Sequence, residues 1–487
     1  MNWHIPSPVD QLQFDPRDVF QAGLRLHHIA NTAYPIGHVT TMAPYRVPHS
    51  GIQEFTPQAW EGIDQLSLYV HIPFCERRCG FCEYTVLDPH LNQSNEEQYF
   101  NLLAREFRLW RDAAHTSHKV LRGFDIGGGT PTSVNISRIA RVISAAHRYF
   151  DLPPAVEISI ETTPRIAALE PEKVRALYQL GVRRISMGVQ SVNQALLKRV
   201  GRDASSLIFN QAAAANIREA GFQKFNLDLM YGFAYQTPAN LEATLNHAVS
   251  LQPESITLYR MRYKGTQLAQ QASHVTLNQI NSETQLIHEF LHSASYQANP
   301  GKNTYSRLPG EPGTSHYLTE RVVNGTPYLG LGLGAQSLSR HTLAYNAGAA
   351  DKRLRLYAEK IQAGRLPIQD LYHLSLPAAI GKMVSISFYF GEINLASFAR
   401  KFGRSLQQLF PEEWDFVLQN GLMHLTGETL QLTPKGVLHF SGVIALFYAG
   451  AVKAYLLELS ASGQLNQHSA FNPPRAKHSQ FAREMRG

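Results

Sequence analysis

Cysteine is nearly absent from this chain. Only three of 487 residues are cysteine, Cys75, Cys79 and Cys82, and they fall within eight residues of one another. A disulfide framework needs even numbers and an oxidising compartment, and neither is suggested. Long apolar runs are also missing. No stretch of about 18 uncharged apolar residues occurs, so no transmembrane helix is expected. The longest candidate, GVIALFYAGAVKAYLLEL from Gly442, is broken by Lys453 and Glu458 and reads as a buried helix. The start, MNWHIPSPVDQLQFDP, lacks the basic flank and apolar core of a signal peptide, so the cytoplasm is the expected location. Dense Lys/Arg runs are absent too, although the formal charge is +7. Nucleic acid, membrane headgroups or an anionic small molecule could each explain that charge. With the basic residues spread thinly, a solvated surface explains it better, and neither a nucleic-acid nor a membrane partner is expected.

What is present has a rhythm. Residues 1–60 read as an irregular arm with one or two short helices. From Leu66 onward, apolar runs (LSLYVH, GFDIGG, VEISIE, RRISMGV, FNLDLMYG, SITLYRM and YLGLGLG) alternate with amphipathic segments such as 95–113, 136–149, 171–180, 205–220, 241–250 and 277–294. Such alternation means parallel strands joined by helical crossovers. The expected fold is therefore α/β, a partial or closed parallel (β/α) barrel of about six to seven units over 61–345; an open sheet has the same pattern. Residues 346–459 switch to helix, helix and a small hairpin at Thr426-Gly427-Glu428, a winged-helix-like α+β cap. Its candidate second helix carries Glu412, Glu413 and Asp415 where a groove-reading helix needs cations, so a cap fits better than a DNA reader. The tail, 460–487, is polar, basic and expected to be disordered.

The spacing C-x3-C-x2-C admits two metal chemistries. A structural zinc site wants four closed ligands, and only His71 or a distant histidine could complete it. An iron–sulfur cubane held by three thiolates leaves one iron open, which suits three cysteines better. The cysteines follow a strand directly, as chemistry does in α/β barrels. The next strands end in the Gly-rich GGGTPT (Gly127 to Thr132), then Glu161, then Gln190, and the fifth carries Asp228. A single such residue is more often a cap or a turn. Successive strands delivering cysteine, open backbone, carboxylate and amide to one rim read as a site.

The motifs LYVHIPFC, GGGTPT, ISIETTP, ISMGVQSVN and NLDLMYG resemble the oxygen-independent coproporphyrinogen III oxidase-like branch of the radical S-adenosylmethionine (SAM) enzymes, over about Leu66 to Ser337. The resemblance implies a [4Fe–4S] cluster on Cys75, Cys79 and Cys82 with SAM on its open iron. It implies Tyr69, Phe81, Gly128 and Glu161 at that first SAM, with Gly127 in the same loop and Glu161 and Tyr69 closest to the chemistry. It further implies a second SAM at Gly129, Thr130, Gln190, Arg202 and Asp228, and a flavodoxin- or ferredoxin-like electron donor.

Two departures bear on substrate. Coproporphyrinogen oxidases resemble a pattern with a fourth cysteine where Tyr84 stands here. The haem-chaperone pattern His-Asn-x-x-Tyr-Trp is replaced by NTYSRLPGEPGTSHY. MVSISFYFGEINLASF, from Met383, resembles an anaerobic haem-utilisation group that opens the haem ring, and 21 histidines in a basic chain suit an anionic tetrapyrrole. The expected activity is radical SAM alkylation or oxidation of a tetrapyrrole such as haem. The alternatives are a coproporphyrinogen oxidase-like dehydrogenase, a haem chaperone without SAM turnover, and a methyltransferase or cyclopropanase of natural-product assembly.

Overall fold

The computed structural model describes residues 3–24, 34–36, 38–87, 92–202, 207–263 and 266–462. Most of the expected tail, 463–487, and the first residues of the helix expected at 205 lie outside them.

Six strands run in sequence order: β1 (Gln65–Ile72), β2 (Val120–Gly128), β3 (Ile158–Thr162), β4 (Val182–Gln190), β5 (Lys224–Tyr231) and β6 (Ser255–Arg260). Each is parallel to the next. Then come β7 (Thr304–Ser306), β8 (Tyr328–Leu331), β9 (Gln336–Leu338), β10 (Thr342–Asn346) and β11 (Ile368–His373). β8 lies parallel beside β1, while β7 and β9 to β11 extend the two edges antiparallel. The eleven strands follow the linear order β11-β10-β9-β8-β1-β2-β3-β4-β5-β6-β7, so the parallel part is a partial barrel that strand pairing does not close. β11 follows the boundary drawn at 345/346 and still extends this sheet, because the segment bearing helix Leu354–Gln362 turns back beside β10.

The strand pleat explains the layering. Leu66, Leu68, Val70 and Ile72 of β1 are fully buried in the main core with the crossover helices. Ser67, Tyr69 and His71 alternate to the other face, as a period of two requires. Caps set the helix starts: Asn135, Thr163, Thr237 and Thr276 each accept a backbone N–H of the first turn.

A second core holds the C-terminal module. Helices Leu395–Phe402 and Pro411–Gln419 and then the hairpin of β13 (Met423–Thr426) and β14 (Thr429–Leu432) keep the helix–helix–hairpin layout, and β12 (Glu392–Asn394), which precedes the helices, pairs with β14 to complete a small sheet. Residues near the N-terminus join this core. Helix Pro16–Leu24 packs on helix Phe440–Ala445, so closely that a Cβ on Gly23 would lie 2.7 Å from Ala445 Cβ.

Candidate active site

The C-terminal ends of β1 to β6 converge on one cavity of about 1220 Å3. The cysteine loop leaves β1 through Pro73 and Phe74. The glycine loop leaving β2 is stitched to it: Gly129 N donates to Ile72 O at 2.9 Å and Thr130 N to Phe74 O at 2.7 Å. A Cβ on Gly129 would lie 2.5 Å from Phe74 O and 2.9 Å from Cys75 Sγ, so only glycine permits this approach. Cys75 Sγ sits 3.6 Å from Thr130 Oγ1, and Arg202 directs Nη1 to Cys79 Sγ at 3.9 Å. The three thiols are partly buried and free of disulfides. Burial pushes the Cys75 thiol up to about 12 and raises Cys82 as well, each further raised by neighbouring cysteines. Such thiols become thiolates when a metal replaces the proton.

Among the described residues, no group of three or more His, Cys, Asp or Glu is placed to hold a single metal ion. Among these residues no closed four-ligand set of the kind a structural zinc needs is assembled. His71 is committed elsewhere. Its Nε2 donates to Thr85 O at 2.7 Å, which leaves Nδ1 to accept from the Tyr69 hydroxyl at 3.2 Å.

The carboxylates come next. Glu161, next to last in β3, accepts from Gly128 N at 3.3 Å. It faces the cavity, where water reaches it, yet protein surrounds it. The surrounding protein, with Asp228 and Asp125 adding repulsion, raises its pKa to about 8. Asp228 on β5 accepts from Ser186 Oγ at 2.8 Å and Asn226 Nδ2 at 2.9 Å; burial raises it, against these bonds. Gln190 ends β4 at φ 70°, just past a register shift against β5. Gly188 makes room for it, since a Cβ there would lie 2.8 Å from Gln190 Nε2, and its carbonyl accepts from Arg202 Nη2 at 2.5 Å.

Cys75, Cys79, Cys82, Phe81, Gly128, Gly129, Thr130, Glu161, Gln190, Arg202 and Asp228 all border this cavity. Tyr69 and Gly127 do not. They stand behind Glu161: a Cβ on Gly127 would lie 2.8 Å from Glu161 Oε1 and 3.1 Å from the Tyr69 ring. Other walls were missed by sequence reasoning. Tyr259 and Arg260 end β6, and the strand-end rule applied to SITLYRM would have found them. Helix Leu277–Ser293 contributes Thr284 and His288, and the C-terminal module contributes Tyr389, Lys435 and Phe440. Nothing in those segments marks them locally as site residues.

Residues 69–248 match the model of the radical SAM superfamily, and residues 390–439 match the HemN C-terminal domain. The chain carries a radical SAM domain followed by a HemN C-terminal domain. Its relatives lie in the coproporphyrinogen III oxidase-like branch that the motifs resemble. The heme chaperone HemW of Bacillus subtilis is 29% identical, over 78% of this chain and 98% of its own. The oxygen-independent coproporphyrinogen III oxidase of Salmonella typhimurium is 28% identical, over 79% and 85%. The solved structure of coproporphyrinogen III oxidase (HemN) from Escherichia coli, a radical SAM enzyme, superposes with a TM-score of 0.68 at 25% identity, covering 81% of this chain and 93% of that one. A radical SAM domain implies a [4Fe–4S] cluster and SAM. The residues present fit both: three thiols on one loop without a fourth, and a glycine backbone pressed against them where side chains would intrude. No helix among the described residues is long and apolar enough to cross a membrane.

Proposed function

We propose that this radical SAM protein is an enzyme acting on a tetrapyrrole, with SAM-dependent methyl transfer and ring opening of haem as the reaction. The observation that carries the reading is the cavity. At about 1220 Å3 it exceeds the roughly 300–1,000 Å3 usual for small-molecule sites. It continues from the thiols to aromatic walls at Tyr259, Tyr389 and Phe440. That leaves room for a flat macrocycle beside SAM.

When bound, the cluster supplies the electron that cleaves SAM and so generates a hydrogen-abstracting radical. The chain's own residues do the rest. Cys75, Cys79 and Cys82 hold the metal. Backbone at Gly128 and the Glu161 carboxyl orient the first SAM, with Tyr69 and Gly127 fixing Glu161 from behind. Phe81, which borders the cavity, contacts the same first SAM. Gly129, Thr130 and Gln190, with Arg202 and Asp228 as charged partners for a carboxylate and an ammonium, receive a second SAM. A flavodoxin- or ferredoxin-like protein supplies electrons.

A second reading is a haem chaperone that holds SAM without turnover, favoured by the Bacillus relative's near-complete coverage. The test is anaerobic: cluster-loaded protein with dithionite, SAM and haem, products read by mass spectrometry. S-adenosylhomocysteine, 5′-deoxyadenosine and a methylated, opened tetrapyrrole are expected. Tight haem binding without SAM cleavage would move the chain to the chaperone class. 5′-Deoxyadenosine with haem untouched would overturn the tetrapyrrole reading.

A further inference from the structure

The cavity is bordered by several cations, and most have an acceptor. Arg165 donates to Glu76 at 2.6 Å, Arg202 to Gly188 O at 2.5 Å, and Arg262 pairs with Glu83. Lys302 reaches Pro312 O at 2.6 Å and Lys435 reaches Asn420 O at 2.7 Å. Arg260 differs. Its side chain borders the cavity and is half-buried, yet among the described residues no ion pair and no hydrogen bond from its guanidinium is formed.

Its place is built. Arg260 is the last residue of β6, in register with Tyr231 at the end of β5, and Met261 N donates to Tyr231 O at 2.8 Å. Gly232 leaves space for its stem: a Cβ there would lie 3.4 Å from Arg260 Cγ and 2.7 Å from Ile280 Cδ1. Thr284 and His288 of helix Leu277–Ser293, and Tyr305 of β7, border the same cavity. Burial disfavours the charge, the Tyr231 hydroxyl opposes that effect, and a guanidinium does not escape by losing its proton. A walled-in cation without an acceptor is costly, and an incoming anion relieves the cost.

We propose that Arg260 anchors the substrate through a peripheral carboxylate. The inference rests on the tetrapyrrole reading and deepens it. A tetrapyrrole is a flat apolar disc with its carboxylates at the edge. A fork of guanidinium donors on the wall of an aromatic-lined cavity matches that shape and takes a carboxylate in two parallel hydrogen bonds. The other available carboxylate is that of SAM, and the test separates the two.

Cluster-loaded wild type, Arg260→Gln and Arg260→Lys are titrated anaerobically with mesoporphyrin and with its dimethyl ester, both metal-free, and separately with SAM. Retained cluster absorbance in each variant reports the fold. Wild type is expected to bind the diacid at least roughly tenfold more tightly than the diester. Arg260→Gln should close that gap by weakening the diacid alone. Arg260→Lys, which keeps the charge, should retain a preference for the diacid. SAM affinity should be equal in all three. A gap that persists in Arg260→Gln would overturn the anchor while leaving the tetrapyrrole reading standing. Weakened SAM with the porphyrin gap intact would assign the anion to SAM and overturn it likewise. Wild type that binds neither porphyrin would overturn the tetrapyrrole reading, and the anchor with it.

Discussion

At the scale of single residues, the site depends on atoms that are missing as much as on those present. Gly129 lies between a carbonyl and a thiol, and hydrogen bonds on either side of it fix both backbones. In Gly129→Ala the new methyl meets Phe74 O and Cys75 Sγ, neither of which is the end of a flexible side chain. Overpacking of this kind costs about 1–3 kcal/mol, and here the strain falls on the first cysteine. Iron content per chain after anaerobic reconstitution should drop well below wild type while the far-ultraviolet circular dichroism is kept. Normal iron loading would show that the loop yields elsewhere. Cys79→Ala is the sharper test of the ligand set. Loss of one of three thiolates should abolish the visible iron–sulfur absorbance. A retained spectrum would remove Cys79 from the set.

At the scale of elements, one buried carboxylate ties several segments together. Glu106, on helix Asn92–Ala114, is fully buried. Its oxygens accept from Gly332 N at 2.8 Å, Asn346 Nδ2 at 2.8 Å and the Tyr357 hydroxyl at 2.5 Å, so the helix grips the end of β8, the end of β10 and helix Leu354–Gln362. Glu106→Ala leaves three buried donors unpaired, a loss on the order of 3 kcal/mol. Burial outweighs these bonds and raises the carboxyl to about 7 from its ordinary 4.5. The folded state thus holds the proton more tightly than the unfolded state. The contribution is fully present below pH 4.5 and is lost as pH rises through 7. Denaturant unfolding across that window should show stability falling with pH in wild type, and a flatter profile in Glu106→Gln; equal slopes would refute it. The same elements show what the sequence made legible. β1 to β6 are recognisable because buried parallel strands are continuous apolar runs, and the rim residues because each stands where such a run ends. β9 and β10 are only three and five residues long, too short for a periodic signal. Arg260 stands at a strand end just as Asp228 stands within one, but a lone arginine after an apolar run is an ordinary surface pattern, and only the fold reveals its lack of an acceptor.

At the scale of the whole molecule, the N-terminal segment 9–24 closes on the C-terminal module. Asp10 accepts from Ala451 N at 3.0 Å and from the Tyr45 hydroxyl. A Cβ on Gly450 would lie 2.4 Å from Val9 O. Val19, Phe20 and Ala22 are buried in the same core as Val443, Ile444 and Phe447. Sequence pattern alone assigned the first 60 residues to an arm, because their apolar residues are sparse and their partners stand some 400 positions away. The cavity depends on this closure, since Lys435 and Phe440 border it and Phe20 stacks on the ring of His439 between them. Burial of Val19 and Phe20 contributes about 1.5–3 kcal/mol each, against a total stability on the order of 5–15 kcal/mol. A chain lacking residues 1–24 should therefore melt earlier and bind a hydrophobic dye at temperatures where the full chain does not. The barrel's main core draws none of its residues from that segment. The three cysteines should accordingly still load iron, while porphyrin affinity falls because one wall of the cavity has loosened. An unchanged melting profile would show that the N-terminal segment lies on the C-terminal module without stabilising it. Iron lost together with the dye-binding transition would show that the two cores fold as a single cooperative unit.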